Sequence, residues 1–208
     1  MKRTEPKPKR QIGRPLSFDR DVALHQAMLL FWQHGYEATS VSQLTAAMGI
    51  TAPSLYAAFG DKKRLFLDAV QRYSKGSAIA EQIIDEAQSA RAAASALLQG
   101  AAMSYTGADT PPGCLLASAA ISCSSSAGDI RDALSAIRQR IEARLHEKIL
   151  SAIKVGELDE QTDADALSAH VMAVIQGMST LARDGASRDK LLRVVNLALQ
   201  TWPNAAAA

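Results

Sequence analysis

Apolar residues recur along this chain at the three- and four-residue steps of helices. Ala23, Ala27, Leu30 and Phe31 share one helical face, with Ser17 ahead of them as a cap and Gly35 behind them as a stop. Two short helices are predicted next, over Val41 to Met48 and Ala52 to Ala58, separated only by Gly49-Ile50-Thr51. From Asp61 a fourth helix carries Leu65, Phe66, Ala69, Val70 and Tyr73 on one stripe and continues toward Ile84. An Ala-rich helix is predicted over Ala90 to Tyr105. The turn residues Gly107, Pro111, Pro112 and Gly113 then open a short apolar helix from Cys114 to Ile121. Ser122 to Gly128 reads as a loop. Ile130, Leu134, Ile137, Ile141, Leu145 and Ile149 mark a long amphipathic helix ending near Gly156. Two last helices, Thr162 to Arg183 and Ser187 to Trp202, are joined by Asp184-Gly185-Ala186, with Thr162 and Ser187 as N-caps. There is no period-two strand pattern and no internal repeat, so the expected fold is all-α with about nine helices.

Composition narrows the class. The 208 residues are 48% hydrophobic, enough for a real core. No apolar stretch reaches about 18 residues and none follows the basic start, so no membrane partner is expected and the location is expected to be cytoplasmic. Cys114 and Cys123 sit too far apart for a CxxC zinc spacing and read as reduced thiols. His25, His34, His146 and His170 form no ligand spacing, so neither a metal nor a cofactor is expected.

The net charge of +2 hides an asymmetry. Residues 1–75 carry 12 Lys/Arg against 6 Asp/Glu, while residues 76–208 carry 11 against 15. A basic first part and an acidic second part suggest that one meets a polyanion and the other does not. Met1 to Arg10, rich in Lys, Arg and Pro, reads as a flexible arm. Three segments follow: a basic arm over 1–14, a DNA-binding domain with its linking helix over 15–75, and a sensing and dimerisation domain over 76–208.

The DNA assignment rests on the two short helices. Gly49 suits a turn needing positive φ, and Leu44, Met48, Ile50, Leu55 and Ala58 let both helices pack on the first while one face of the third stays free. That arrangement is a helix-turn-helix, whose second helix enters the major groove. Ser40 and Gln43 stand at capping-box spacing, and Thr51 caps a helix with Pro53 in its first turn. Thr51, Ala52, Pro53, Ser54 and Tyr56 offer hydroxyls, small groups and a phenol to bases or phosphates. Lys62 and Lys63 lie at the start of the fourth helix, where a phosphate meets charge and helix dipole together. Arg14, between Gly13 and Pro15, is placed to reach a neighbouring minor groove.

On these residues the chain resembles a known family. The stretch Gly13 to Val70, about a quarter of the chain, is similar to the DNA-binding domain of TetR-type regulators. The resemblance runs through Phe31 with Gly35-Tyr36, Thr39-Ser40-Val41, Gly49-Ile50, Leu55-Tyr56, and Phe59 followed by Asp61-Lys62 and Leu65-Phe66. It implies a homodimeric repressor in which Thr39 or Ser40, Tyr56 and Lys62 contact phosphates of a palindromic double-stranded DNA operator. Helix three would then present Ala52 to Ser54 to the bases. The segments 111–120, 126–130 and 176–187 also look like a subgroup of these regulators, without implying an effector.

In the second part, two apolar faces suit a partner subunit: Leu167, Val171, Val174, Ile175, Met178 and Leu181 on one helix, and Leu191, Leu192, Val195, Leu197 and Leu199 on the next. By position, Met103, Tyr105, Cys114, Leu116, Ile137, Met172 and Gln176 are expected to line a pocket for a small-molecule effector. Gly177 and the many alanines either leave room for that ligand or let helices pack closely. Cys114, at the start of a short helix, is either a small core residue or a sensor of oxidants, electrophiles or soft metals. A third reading keeps the DNA-binding dimer and drops the small ligand. No glycine-rich phosphate loop, GxSxG or paired-carboxylate motif is present, so catalysis is not expected.

Overall fold

The computed structural model describes residues 18–121 and 128–203, so the predicted arm, Arg14, Ser17 and Cys123 lie outside the described residues. Among the described residues there are nine helices and no strand. They are α1 (Arg20–His34), α2 (Val41–Met48), α3 (Ala52–Phe59), α4 (Lys62–Glu86), α5 (Ala90–Tyr105), α6 (Leu115–Ile121), α7 (Gly128–Lys154), α8 (Ala164–Arg183) and α9 (Arg188–Gln200). None is long and apolar enough to cross a membrane.

Side chains before each helix account for most of the starts. Ser40, Thr51, Asp61, Ser89 and Ser187 each accept a backbone N–H of the turn that follows. Two expected caps are displaced. α1 is capped by Asp19, which accepts from the N–H groups of Asp21 and Val22, while Ser17, the expected cap, lies outside the described residues. α8 is capped by Asp163, which accepts from Ala166, and not by Thr162. Periodicity locates a helix end only to within a residue or two, and at both sites an aspartate stands nearer the first turn, where its charge also favours the dipole.

The first three helices close on the start of α4 through an aromatic core. Phe31 and Phe66 meet edge to face at 5.0 Å, and Tyr36 packs on both rings. Leu44, Leu55 and Leu65 are fully buried around them. Arg20 lies over the Phe59 ring at 4.5 Å and pairs with Asp68, and Arg72 pairs with Asp21, fastening α1 along α4.

α4 then passes unbroken through position 75 and lies along α7. Polar contacts join those two helices: Arg140 to Glu81 at 2.7 Å, Arg144 to Asp85 at 2.6 Å, and Lys148 to the carbonyl of Ala87, the α4 cap residue, at 2.6 Å. α5 packs against both α8 and α9, burying Ala90, Ala93, Ala94, Ala101 and Ala102, whose small side chains allow close approach.

This packing divides the residues expected at a subunit interface. Val171, Met178, Leu191 and Val195 are buried inside the chain's own core, so they close the bundle and cannot face a partner. Leu167, Val174, Ile175, Leu181, Leu192 and Leu199 are half-buried, and Leu197 is exposed. The apolar stripes on α8 and α9 are thus wider than the bundle needs, and their buried half serves the protomer.

Candidate nucleic-acid interface

The turn between α2 and α3 is fixed by Gly49 at φ 66°, a left-handed conformation that costs a glycine nothing. Its N–H returns to Ala46 O, and the N–H of Ile50 reaches Thr45 O at 3.1 Å, so the α2 carbonyls are satisfied as the chain reverses. Ser40 and Gln43 form the complete capping box: Ser40 Oγ accepts from Gln43 N and Gln43 Oε1 accepts from Ser40 N. Both are exposed. The Ser40 hydroxyl keeps its proton and the Gln43 amide its NH2 end as donors toward the outside.

Leu55 and Phe59 bury one side of α3, while Pro53, Tyr56 and Ala57 are exposed and Ala52 and Ser54 are half-buried beside them. Thr51 Oγ1 and Ser54 Oγ lie 2.9 Å apart. They border a depression of about 550 Å3 shared with Phe18, Ser42, Thr45, Ala46, Gly49 and Ile50, a hydroxyl-rich groove between the two short helices. Such a surface admits phosphate oxygens and base edges without a bulky side chain in the way.

Thr39 departs from the expectation. It is fully buried, and its hydroxyl donates to Gly35 O at 2.6 Å, closing the loop that leads into α2. Its role is to hold the loop, which leaves Ser40 as the exposed hydroxyl of the pair.

The two lysines occupy different settings. Lys62 Nζ sits 4.5 Å above the Tyr36 ring and donates to Glu37 O at 3.4 Å. Partial burial holds its ammonium below the usual lysine range, against the opposing pull of the Glu37 carboxylate. A lysine held on an aromatic face is pre-placed for an anion at the start of α4. Lys63 instead pairs with Asp129 in the first turn of α7.

A second constellation joins this N-terminal unit to the rest. Trp32 Nε1–H donates to Gly113 O at 3.2 Å, and the Trp32 ring meets Tyr73 edge to face at 5.0 Å. The Tyr73 hydroxyl donates to Cys114 Sγ at 3.4 Å, and the buried Tyr105 phenol lies near the same thiol. Burial pushes both phenols well above the usual tyrosine range, and Cys114 adds to the shift in each. Cys114 N donates to Ser179 Oγ at 2.8 Å, and Arg183 donates to Trp32 O and Gln33 O at 3.1 and 2.9 Å.

Of the residues expected to line an effector pocket, Tyr105, Cys114, Leu116 and Met172 are buried and Ile137 is half-buried. Met103 and Gln176 are exposed, on the outer sides of α5 and α8, and cannot face an interior site. Gly177 is also exposed, and a Cβ there would meet nothing within 4 Å, so it serves neither proposed use within the protomer. Sequence reasoning missed Trp32, Tyr73, Gly113, Ser179, Arg183 and Asp129. Gly113 carried a signal, since a glycine between a proline pair and an apolar helix marks positive φ or close approach, and here it has both.

Comparisons with known proteins agree with this geometry. A family model described as bacterial regulatory proteins, tetR family, matches residues 23–69, and one described as tetracyclin repressor-like, C-terminal domain, matches residues 91–198. The chain is 38% identical over 94% of both chains to the HTH-type transcriptional repressor ComR of Escherichia coli K12. It is 27% identical to the HTH-type transcriptional regulator YezE of Bacillus subtilis, over 90% of this chain and 98% of that one. Among solved structures it is similar to a cysteine mutant of the TetR family transcriptional regulator CifR complexed with 26 bp double-strand operator DNA. The identity is 40%, the TM-score 0.87, and the match covers 92% of this chain and all of that one.

Proposed function

Since the chain belongs to the TetR family of bacterial regulatory proteins and is a DNA-binding transcriptional repressor, we propose that its release from the operator is controlled by a small electrophilic or oxidising effector at Cys114. The observation that carries this reading is the position of the thiol. Cys114 Sγ lies against Tyr73 of α4 and Tyr105 of α5, and Tyr73 lies against Trp32 of α1. Any group added to that sulfur needs space in a packed junction, and the side chains it displaces belong to the helices that set the position of the reading unit.

In this account residues 15–75 form the reading unit and residues 76–208 the sensing and dimerising body. Two copies meet through the half-buried rim of α8 and α9, where Leu167, Val174, Ile175, Leu181, Leu192 and Leu199 join exposed Leu197. Ser40, Gln43, Tyr56 and Lys62 contact operator phosphates, while Ala52, Pro53 and Ser54 approach the bases with Thr51 beside them. A palindromic site needs two reading heads about one helical turn apart. Addition to an activated alkene forms a carbon–sulfur bond as the carbon–carbon π bond breaks, and the thiol proton passes by way of solvent to the neighbouring carbon. The enlarged side chain pushes α6 and Tyr73 apart, and the head spacing that fits the operator is lost.

The test is a mobility shift on DNA flanking the protein's own gene, with scrambled duplex as competitor. A panel of electrophiles and oxidants is compared with a panel of unreactive small molecules, for the wild type and for Cys114→Ser. Thiol-reactive compounds are expected to release the wild type and leave the variant bound. A variant released as readily as the wild type refutes the role of Cys114, and release only by unreactive compounds moves the effector to a non-covalent site.

A further inference from the structure

Lys63 and Asp129 link the first turn of α4 to the first turn of α7. Both side chains are about half exposed, at 45% and 55%, so an outside ion can reach either partner. Their positions differ in kind. A carboxylate in the first turn of a helix is favoured by the helix dipole, whereas an ammonium there is not. Lys63 thus has reason to seek an anion, and in the free protein the anion it holds is Asp129. Lys63 also follows immediately on Gly60, Asp61 and Lys62 at the end of α3, so it stands at the edge of the surface assigned to DNA.

We propose that Asp129 is a resident competitor for the operator phosphate that Lys63 would otherwise contact, so that DNA binding exchanges a carboxylate for a phosphate at this lysine. The proposal rests on the DNA-reading surface described above. Lys63 faces Asp129 foremost, with Tyr36 and Asp61 nearby. The hydrogen bond with Asp129 holds the Lys63 ammonium above its usual range, and the same bond holds the Asp129 carboxyl below its own. Both groups are therefore charged at neutral pH, and the exchange responds to salt and to DNA.

The exchange also bears on the body. α7 is held to α6 by Arg138, whose guanidinium donates to Leu116 O at 2.6 Å, two residues beyond Cys114. One helix therefore touches both a lysine at the DNA edge and the segment that carries the thiol. A state of the body that draws Asp129 onto Lys63 weakens the grip on DNA, and one that withdraws it strengthens that grip.

Operator affinity across a salt series, read by fluorescence anisotropy, tests this for the wild type, Asp129→Asn, Asp129→Glu, Lys63→Ala and the Lys63→Ala/Asp129→Asn double variant. Asp129→Asn is expected to tighten binding roughly two- to five-fold at low salt, with the gain fading as salt rises. Asp129→Glu keeps the charge and stays near the wild type. Lys63→Ala lowers the slope of log K against log salt by about 0.9, the share of one phosphate. In the Lys63→Ala background the Asp129→Asn gain shrinks, because only the general loss of a negative charge remains. An equal gain in both backgrounds, or an unchanged slope in Lys63→Ala, overturns the proposal. A wild type with no preference for operator over scrambled DNA would overturn the reading of the DNA surface itself, a distinct failure.

Discussion

Replacing Gly113 by alanine tests whether the contact between the start of α6 and the end of α8 is as tight as its geometry indicates. Gly113 has φ 81°, and a Cβ there would lie 2.8 Å from Ser179 O and 2.9 Å from both Arg183 Cγ and Ser179 Oγ. The left-handed backbone costs an alanine about 1 to 2 kcal/mol. Relieving the collision adds about 1 to 3 kcal/mol, because a backbone carbonyl is among the crowded atoms and cannot swing aside as a side-chain tip can. The sum, about 2 to 5 kcal/mol, corresponds to a fall in Tm of roughly 5 to 15 °C for a chain of this length.

Thermal unfolding by circular dichroism, with every variant at the same protein concentration, is the assay. Gly100→Ala is the control: Gly100 is exposed within α5, and a Cβ there meets nothing within 4 Å. That variant should gain about 0.5 to 1 kcal/mol from restricting the unfolded chain and favouring the helix. If Gly113→Ala melts within a degree of the wild type, or both variants fall together, the close approach at Gly113 is not what holds α6 in place.

Two other outcomes follow from the same junction. Arg183→Met keeps the aliphatic stem and removes the donors to Trp32 O and Gln33 O, so urea unfolding should report a loss of about 1 kcal/mol, modest because water reaches this side chain. An unchanged stability would mean that the guanidinium does not hold the end of α1. The buried phenols predict alkaline sensitivity: Tyr73 and Tyr105 have folded pKa values well above the ordinary 10.0. Their contribution is therefore fully present below pH 10 and is lost as pH rises beyond it, since the unfolded chain releases those protons first. Each phenol should steepen the fall by about 1.4 kcal/mol per pH unit above that point. Urea midpoints between pH 9 and 11 should show a shallower decline in Tyr73→Phe, and parallel curves would refute the assignment.

The helices were legible because each is specified by a few neighbouring residues. α2 and α5 have the bounds predicted for them, and the capping box of Ser40 and Gln43 forms as its spacing requires. Where two adjacent residues could both cap, as at Thr162 and Asp163, the sequence reading takes Thr162 and the helix takes Asp163. Thr39 shows a different limit. A hydroxyl before a helix reads as exposed, yet this one returns four residues to Gly35 O and is buried by the loop it closes. On α8 and α9 the apolar pattern marked the stripes without showing which of their residues the protomer's own core takes. That depends on where α5 lies, and no periodicity within α8 or α9 contains it.

The connections between the reading unit and the body were illegible for a stronger reason. Trp32 bonds to Gly113, 81 residues away, and Arg183 reaches back 151 residues to the same tryptophan's carbonyl. These contacts use ordinary residues in no motif, and they meet at two places on one helix end: the indole of Trp32 and the last carbonyls of α1. α1 is held there by α6 and α8 and along its length by α4, through Asp68 and Arg72. A displacement of α6 therefore reaches the reading unit by two routes, directly through Gly113 to Trp32 and indirectly through Cys114 and Tyr73 to α4. If both routes carry the signal, Trp32→Phe should weaken the coupling between effector and operator without abolishing it, because an aromatic ring still packs on Tyr73 when the indole N–H is gone. Operator release titrated against a thiol-reactive effector checks this. Complete loss of response would place the whole coupling on the Trp32–Gly113 hydrogen bond, and an unaltered response would leave it to α4 alone.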